Sequence, residues 1–442
     1  MKRREFIHKS AAAATFLSSP YILRSNPFSP NDKIQIGVIG CNGMGWSNTR
    51  SLLQMDRVDL VGICDVDENV VKKRVNEYKD LRSNTPKTYG DYRELLANRD
   101  IDAVVIGTPD HWHCKIMVDA VKAGKHVYVE KPIANTIEEC NIMVKAAAES
   151  GKIVQVGQWQ RSGPHYRQAI DIVRSGVLGN IRLVKVWAYQ GWMNPVPVLP
   201  DEKPPKGVDY DFWLGPAPKR PFNPNRFHFN FRWFWDYAGG LMTDWGVHEI
   251  DIALYAMQAK APISVFASGG KLAYPDDASE TPDTLQAIFK YENFSMLWEH
   301  ATGIDSGNYG RREGIAFIGN NGTLVVDRQG FEVILEREPN GYSNWGDPKM
   351  KPIDEVRRPS DVNYLGLHTQ NFIEAIEKND SSILNTPIAS GSIAAINAQM
   401  GNISYKTGQM VFWDAKKGQF KDNDAANQLI KANYNNGWEL PK

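Results

Sequence analysis

The sequence predicts an α/β chain in two parts: a doubly wound domain on a parallel sheet, then an α+β domain with an open, mostly antiparallel sheet. Three observations predict it. Residues 33–156 alternate near-continuous apolar runs with helical patterns, as strands buried on both faces do. After about residue 180 the pattern changes to meandering strands with turn signals such as "NNGT" at 320–323. The length, 442 residues, exceeds what one small core supports.

In the first part, "KIQIGVIG", "VDLVGICD", "DAVVIG", "HVYVE" and "KIVQVG" read as strands. Thr136-x-x-Glu139 forms a capping box and Gly151 ends that helix. In the second part, "NIRLVKVWAY" (180–189) reads as a strand, followed by a long loop rich in Pro, Trp and Phe (190–236). A helix over "WDYAGGLMTDWGVHEIDIALYAM" (235–257) comes next, then the meander, then helices over 368–380 and 390–408. The division is 1–32 as an export signal and linker, 33–156 as the first domain and 157–442 as the second. The C-terminal helices are placed where they can pack back on the first domain.

Lys+Arg and Asp+Glu both count 51, so no basic excess points to nucleic acid or an anionic membrane surface. Cys41, Cys64, Cys114 and Cys140 match no zinc spacing and read as packing residues. His111 and His113 lack a third ligand, and "HEID" lacks the second histidine of a zinc-protease motif, so no metal is expected. The start, "MKRREFIHKSAAAATFLSS", pairs Arg3-Arg4 with a short, weakly apolar stretch. It resembles a twin-arginine export signal, which predicts a periplasmic or otherwise exported protein, with a cytoplasmic one as the alternative. No stretch is long and apolar enough to span a membrane.

"IGVIGCNGMG" ends the first strand and opens a helix. Gly40, Asn42 and Gly45 occupy the spacing of the Rossmann dinucleotide fingerprint, with Asn42 in place of the middle glycine and Gly43 and Met44 beside it. Asn tolerates a positive φ better than most residues, so a variant loop is expected. Asp65 ends the second strand, where an acid accepts hydrogen bonds from ribose hydroxyls and repels a 2′-phosphate. That favours NAD over NADP; the alternative for Asp65 is a helix N-cap.

Glu130-Lys131-Pro132 ends another strand at the edge where ligands of open α/β sheets bind. A lysine there lowers the cost of forming an alkoxide. With "IGVIGCNGMG", "TPDHWH", "HVYVEKP" and "GGLMTDWGVHEID" in this order, the chain resembles the Gfo/Idh/MocA oxidoreductases. The resemblance implies a Rossmann domain and a second domain whose sheet mediates homo-oligomers. It implies catalytic roles for Lys131, Asp244 and His248, and a lysine before a proline that is often cis. It also implies cofactor contacts from Thr108, Pro109, His113, Glu130 and Lys131.

Asp244, His248 and Asp251, at i, i+4 and i+7, share one helix face. His248 suits a general base for a sugar hydroxyl; Asp244 could bond the substrate or the imidazole. Asp251 could orient the ring or pair with a basic residue. Gln158, Gln160 and Arg161 follow the last Rossmann strand and could reach cofactor or substrate oxygens. Trp233, Trp235 and Tyr237 offer stacking faces. The reading is an NAD-dependent oxidoreductase acting on a secondary hydroxyl of a sugar, glycoside or cyclitol. The alternatives are a redox-neutral, NAD-dependent glycoside hydrolase or lyase, and a sugar-binding protein without turnover.

Overall fold

A computed structural model describes residues 33–442 except 83 and 341–345. The export-signal reading therefore lies outside the described residues. The first sheet contains β1 (Ile34–Ile39), β2 (Val58–Cys64), β3 (Lys87–Tyr89), β4 (Ala103–Ile106), β5 (His126–Val129) and β6 (Val154–Val156) in the order β3-β2-β1-β4-β5-β6. All its pairs are parallel. The order reverses between β1 and β4, so their carboxyl ends diverge and leave a crevice. The other five strands, β1, β2, β4, β5 and β6, sit on the apolar runs. β3 is three residues with Lys87 and Thr88 exposed, an edge strand with no apolar run to mark it.

The second sheet carries β7 (Leu183–Gln190), β8 (Ser264–Gly270), β9 (Thr284–Lys290), β10 (Ser295–Thr302), β11 (Glu313–Ile318), β12 (Gly322–Asp327), β13 (Gly330–Leu335), β14 (Val356–Arg357), β15 (Val411–Asp414) and β16 (Gln419–Phe420). Its order is β14-β13-β12-β11-β7-β10-β9-β8-β15-β16. Among the described residues of this sheet only β7 and β10 pair in parallel; after β7 the chain leaves the sheet for the loop and the site helix before returning at β8. "NNGT" does turn the chain, from β11 into β12, with Ile318 opposite Thr323.

One face of this sheet packs Trp298, Phe289 and Phe317 against the helices Pro164–Arg174, Gly246–Met257 and Ile388–Thr407. Each such buried side chain contributes roughly 1.5–3 kcal/mol of hydrophobic stabilisation. The C-terminal helices also reach the first domain. Phe372, Ile373 and Ile376 of helix Tyr364–Lys378 join the β1–β4 core, and Ile388 and Ala395 join the core beyond β5.

The cap of helix Ile137–Ser150 matches its sequence. Thr136 accepts from the Glu139 N–H at 3.3 Å and donates its hydroxyl to Glu139 Oε2 at 2.9 Å; Gly151 is left-handed at φ 62°. Tyr434 donates a further hydrogen bond to Glu139 Oε1 at 2.9 Å. Burial nevertheless outweighs these bonds and pushes the Glu139 carboxyl up to about 7. A raised acid holds its proton in the fold while the unfolded chain has lost it. Its contribution is full below the ordinary carboxylate range and is lost as pH rises through about 7. Between about pH 5 and pH 8 the Glu139 contribution falls with rising pH, so thermal denaturation of Glu139→Gln is expected to lose that downward component relative to the parent protein.

Candidate active site

A cleft of ≈ 340 Å³ opens at the carboxyl ends of β1, β4 and β5. One wall is the first domain: Gly40, Asn42, Gly43 and Met44 after β1, Asp65 after β2, Thr108, Pro109 and His113 after β4, and Glu130 and Lys131 after β5. The other wall comes from the second part: His228, Phe229, Phe231, Arg232 and Asp244.

The first turn explains its glycines. A Cβ on Gly45 would lie 1.9 Å from the Gly40 carbonyl oxygen, so only glycine lets the helix Gly43–Leu52 start this close to β1. Gly45 thus shapes the turn rather than lining the cleft. The positive φ expected of Asn42 falls instead on Gly40 (76°) and Gly43 (45°). Asn42 is extended at φ −89° and caps the helix, its Oδ1 accepting from Gly43 N at 3.0 Å. As an N-cap its side chain must fold back onto the helix, which the extended backbone permits.

Asp65 accepts from Cys41 N at 2.9 Å and Asp67 N at 3.1 Å, tying the first turn to the second. Burial still raises its carboxyl. The N-cap alternative is corrected: Asp67, not Asp65, caps helix Glu68–Lys79. Glu130 accepts from Asn48 Nδ2 at 2.7 Å and from Lys131 N at 3.1 Å, so it braces the cleft floor. The Lys131–Pro132 bond is cis. His113 is held between the carbonyls of Pro132 (2.7 Å) and Thr108 (2.8 Å). Burial and the Lys131 charge lower it to about 4, so the neutral ring donates to only one of them.

Lys131 is the centre of the cleft's charge. Its Nζ lies 2.9 Å from both the carbonyl and Oδ1 of Asp244, with Arg232 Nε 3.6 Å from Asp244 Oδ2. Burial opposes ionisation of Asp244, but Lys131 and Arg232 outweigh it and hold the carboxyl at about 2. Asp110, beside them, is raised by burial.

The helix expected over 235–257 is two pieces, Gly240–Asp244 and Gly246–Met257, joined at Trp245. Residues 235–239 precede it. Gly240 sits at φ 65°, where a Cβ would meet Thr281 at 2.7 Å. The three polar residues go to different partners. Asp244 spends its carboxylate on Lys131 and Arg232, not on the imidazole. Asp251 makes a buried two-pronged ion pair with Arg161, Nε and Nη2 each 2.7 Å from its oxygens. His248 is 6% exposed and lies behind the cleft wall, flanked by the rings of Trp159 (6.0 Å) and Trp245 (6.2 Å). Its Nδ1 has no hydrogen-bond partner among the described residues. Burial, reinforced by Lys131 and Arg328, drives it well below the usual histidine range.

The structure places the other substrate candidates in the scaffold. Arg161 is committed to Asp251, and Gln160 Nε2 to Tyr166 (2.9 Å) and Glu249 (3.2 Å). Gln158 donates to the Val247 carbonyl at 3.0 Å. Trp235 Nε1 donates to the Glu280 carbonyl at 3.1 Å, and Lys406 sits over its ring. Tyr237 is fully buried among His111 and Trp213. Polar groups entering a buried interface tend to find partners there, and these did except the Tyr237 hydroxyl and Gln158 Oε1. Sequence reasoning missed His228, Phe229, Phe231, Arg232 and Asp110. The one available clue was "RFHFNFRWFWDY" itself, in which the alternate aromatic residues do not reveal which face meets the cleft.

The donor set fits a dinucleotide: a glycine turn with no room for a side chain, a helix N-terminus, and a buried Thr108 hydroxyl without a protein partner. Such a cleft defines a nucleotide-dependent oxidoreductase of the Rossmann class. Residues 34–158 match the family described as "Oxidoreductase family, NAD-binding Rossmann fold", and residues 162–292 match its "C-terminal alpha/beta domain". The two cover more than half of the chain, and the protein belongs to the Gfo/Idh/MocA oxidoreductases. The chain is 25% identical over 299 residues to an uncharacterized oxidoreductase, YrbE, of Bacillus subtilis, covering 67% of this chain and 74% of that one. It is 32% identical over 154 residues to a glycosyl hydrolase family 109 protein of Shewanella putrefaciens, covering 34% of each chain. Two solved structures share the fold. A levoglucosan dehydrogenase with NADH and levoglucosan has a TM-score of 0.63 at 18% identity, covering 86% of this chain and 99% of that one. An aldose-aldose oxidoreductase of Caulobacter crescentus has 0.62 at 19%, covering 86% and 100%.

Proposed function

We propose that the protein is an NAD-dependent oxidoreductase that removes hydride from a secondary hydroxyl of a sugar, glycoside or cyclitol. The observation that carries this is the Lys131–Asp244 pair, 2.9 Å long, which joins the cofactor domain to the site helix inside the dinucleotide cleft. When bound, NAD accepts the hydride. Lys131 donates a hydrogen bond to the substrate oxygen and stabilises its developing negative charge, while Asp244 fixes the direction of the ammonium. The imidazole of His248, neutral at physiological pH, takes the hydroxyl proton from a substrate that reaches the ring past the cleft wall. The C–H electron pair leaves with the hydride, the O–H proton goes to the imidazole, and the product is the ketone. Asp65 at the ribose end favours NAD over NADP by repelling a 2′-phosphate.

A sugar and cyclitol panel with added NAD, read by NADH absorbance, tests this. Turnover retained in both Lys131→Ala and His248→Ala would overturn the assigned roles. A second reading, redox-neutral glycoside cleavage, is favoured by the similarity to the glycosyl hydrolase family 109 protein. Cleavage of a glycoside with no net NADH would select it. Two further parts of the reading stand apart from the chemistry. Export rests on "RREFIHK", and cell fractionation would test it. Homo-oligomer formation is supported by the outer sheet face, where Phe266 and Ile288 are opposed and 40% and 51% exposed. Light scattering in solution would test it.

A further inference from the structure

Arg328, in the turn between β12 and β13, has a surplus of charge that the proposed reaction does not use. Its guanidinium lies over two indoles, 4.6 Å from the ring centre of Trp159 and 4.3 Å from that of Trp245. These are the same two rings that flank His248. Its Nη2 donates to Gln160 Oε1 at 3.2 Å, while Nε is buried without a partner.

Its surroundings make the contrast sharper. Arg161 has Asp251, Arg311 has Asp327 and Glu332, Arg220 has Asp236 and Glu280, and Arg232 has Asp244. Arg328 forms no ion pair among the described residues. Of the acids facing it, burial pushes Glu249 up to about 8 and raises Glu313, and the ionised Asp244 is held by Lys131 and Arg232. With Lys131 and Arg232 sharing the single carboxylate of Asp244, positive charge at this end of the site exceeds its counter-charge. A half-buried guanidinium that lies against two rings and is short of an ion-pair partner is prepared to receive one. The dinucleotide does not supply it, since Arg328 is not on the wall of that cleft.

We infer that Arg328 is a specificity-determining residue that receives the anionic group of an acidic carbohydrate whose hydroxyl is presented to His248. This rests on the oxidoreductase reading of the site. The planar, two-pronged donor face of a guanidinium suits a carboxylate, as in a uronate, and phosphate is the other source of the same charge.

The test uses full-length protein saturated with NAD. Glucuronate against glucose, galacturonate against galactose, and glucose 6-phosphate are titrated by calorimetry and followed in parallel by NADH absorbance. At least one acid is expected to bind about tenfold or more tighter than its neutral partner, the size of one charge-assisted hydrogen-bonded pair. Arg328→Met should bring the two within about twofold, and Arg328→Lys should retain part of the preference. Tighter binding of the sugar phosphate than of both uronates would assign the charge to phosphate. Neutral sugars binding as well as the acids, no acid binding at all, or a preference that survives Arg328→Met would overturn the inference. Arg328-dependent binding of acids without NADH formation would leave it standing and count against the proposed reaction instead.

Discussion

Lys131→Ala is expected to slow hydride transfer by about 10²–10³-fold while NAD still binds, because it removes one preorganised donor from a developing alkoxide. The glycine turn, the helix N-terminus and the Thr108 hydroxyl, the proposed cofactor cradle, are untouched. Asp244 loses its nearest cation and keeps Arg232 at 3.6 Å, so its carboxyl rises from about 2 toward the ordinary range. Lys131→Arg should not restore the rate. The ammonium is fixed by two acceptors of one residue, the carbonyl and Oδ1 of Asp244, and a planar fork cannot occupy that point. Single-turnover NADH formation, with NAD affinity measured separately, checks both statements. An undiminished rate would remove Lys131 from the chemistry.

Asp251→Ala is expected to destabilise the protein by roughly 3–5 kcal/mol, because it leaves the Arg161 guanidinium buried and unpaired. Arg161 then keeps only its 3.2 Å bond to Ser390 and the Tyr255 ring against its guanidinium. Chemical denaturation measures the loss. Replacing both partners with apolar residues, Arg161→Met with Asp251→Leu, should recover most of it, because no charge is then stranded. Were Asp251 instead an orienting group for His248, the single variant would lose activity at nearly unchanged stability.

That pair also shows where reading the sequence stopped. Asp244, His248 and Asp251 have helical spacing, and spacing alone puts them on one face. What it cannot carry is what faces them. Lys131 lies 113 positions before Asp244, and Arg161 lies 90 before Asp251. Each acid found a different cation, which left the histidine between two indoles. The glycine turn was legible because its constraint is local: strand, helix and close backbone approach lie within a dozen residues. The aromatic wall of the cleft was not, because 190–236 has no period to orient it. β3 escaped for the opposite reason, being too short and polar to register.

The tail beyond Gln428 has a consequence for how the chain is made. Trp438 stands 4.8 Å from the ring of Trp112 and 5.6 Å from that of Phe212, and Asn435 and Asn436 bond the backbone of Pro216, Gly215 and Ala217. Trp112 itself lines the dinucleotide cleft. Vectorial synthesis delivers the cleft's first turn hundreds of residues before the clasp that backs its wall. The wall behind Trp112 is therefore completed last, when the tail docks on residues 215–217.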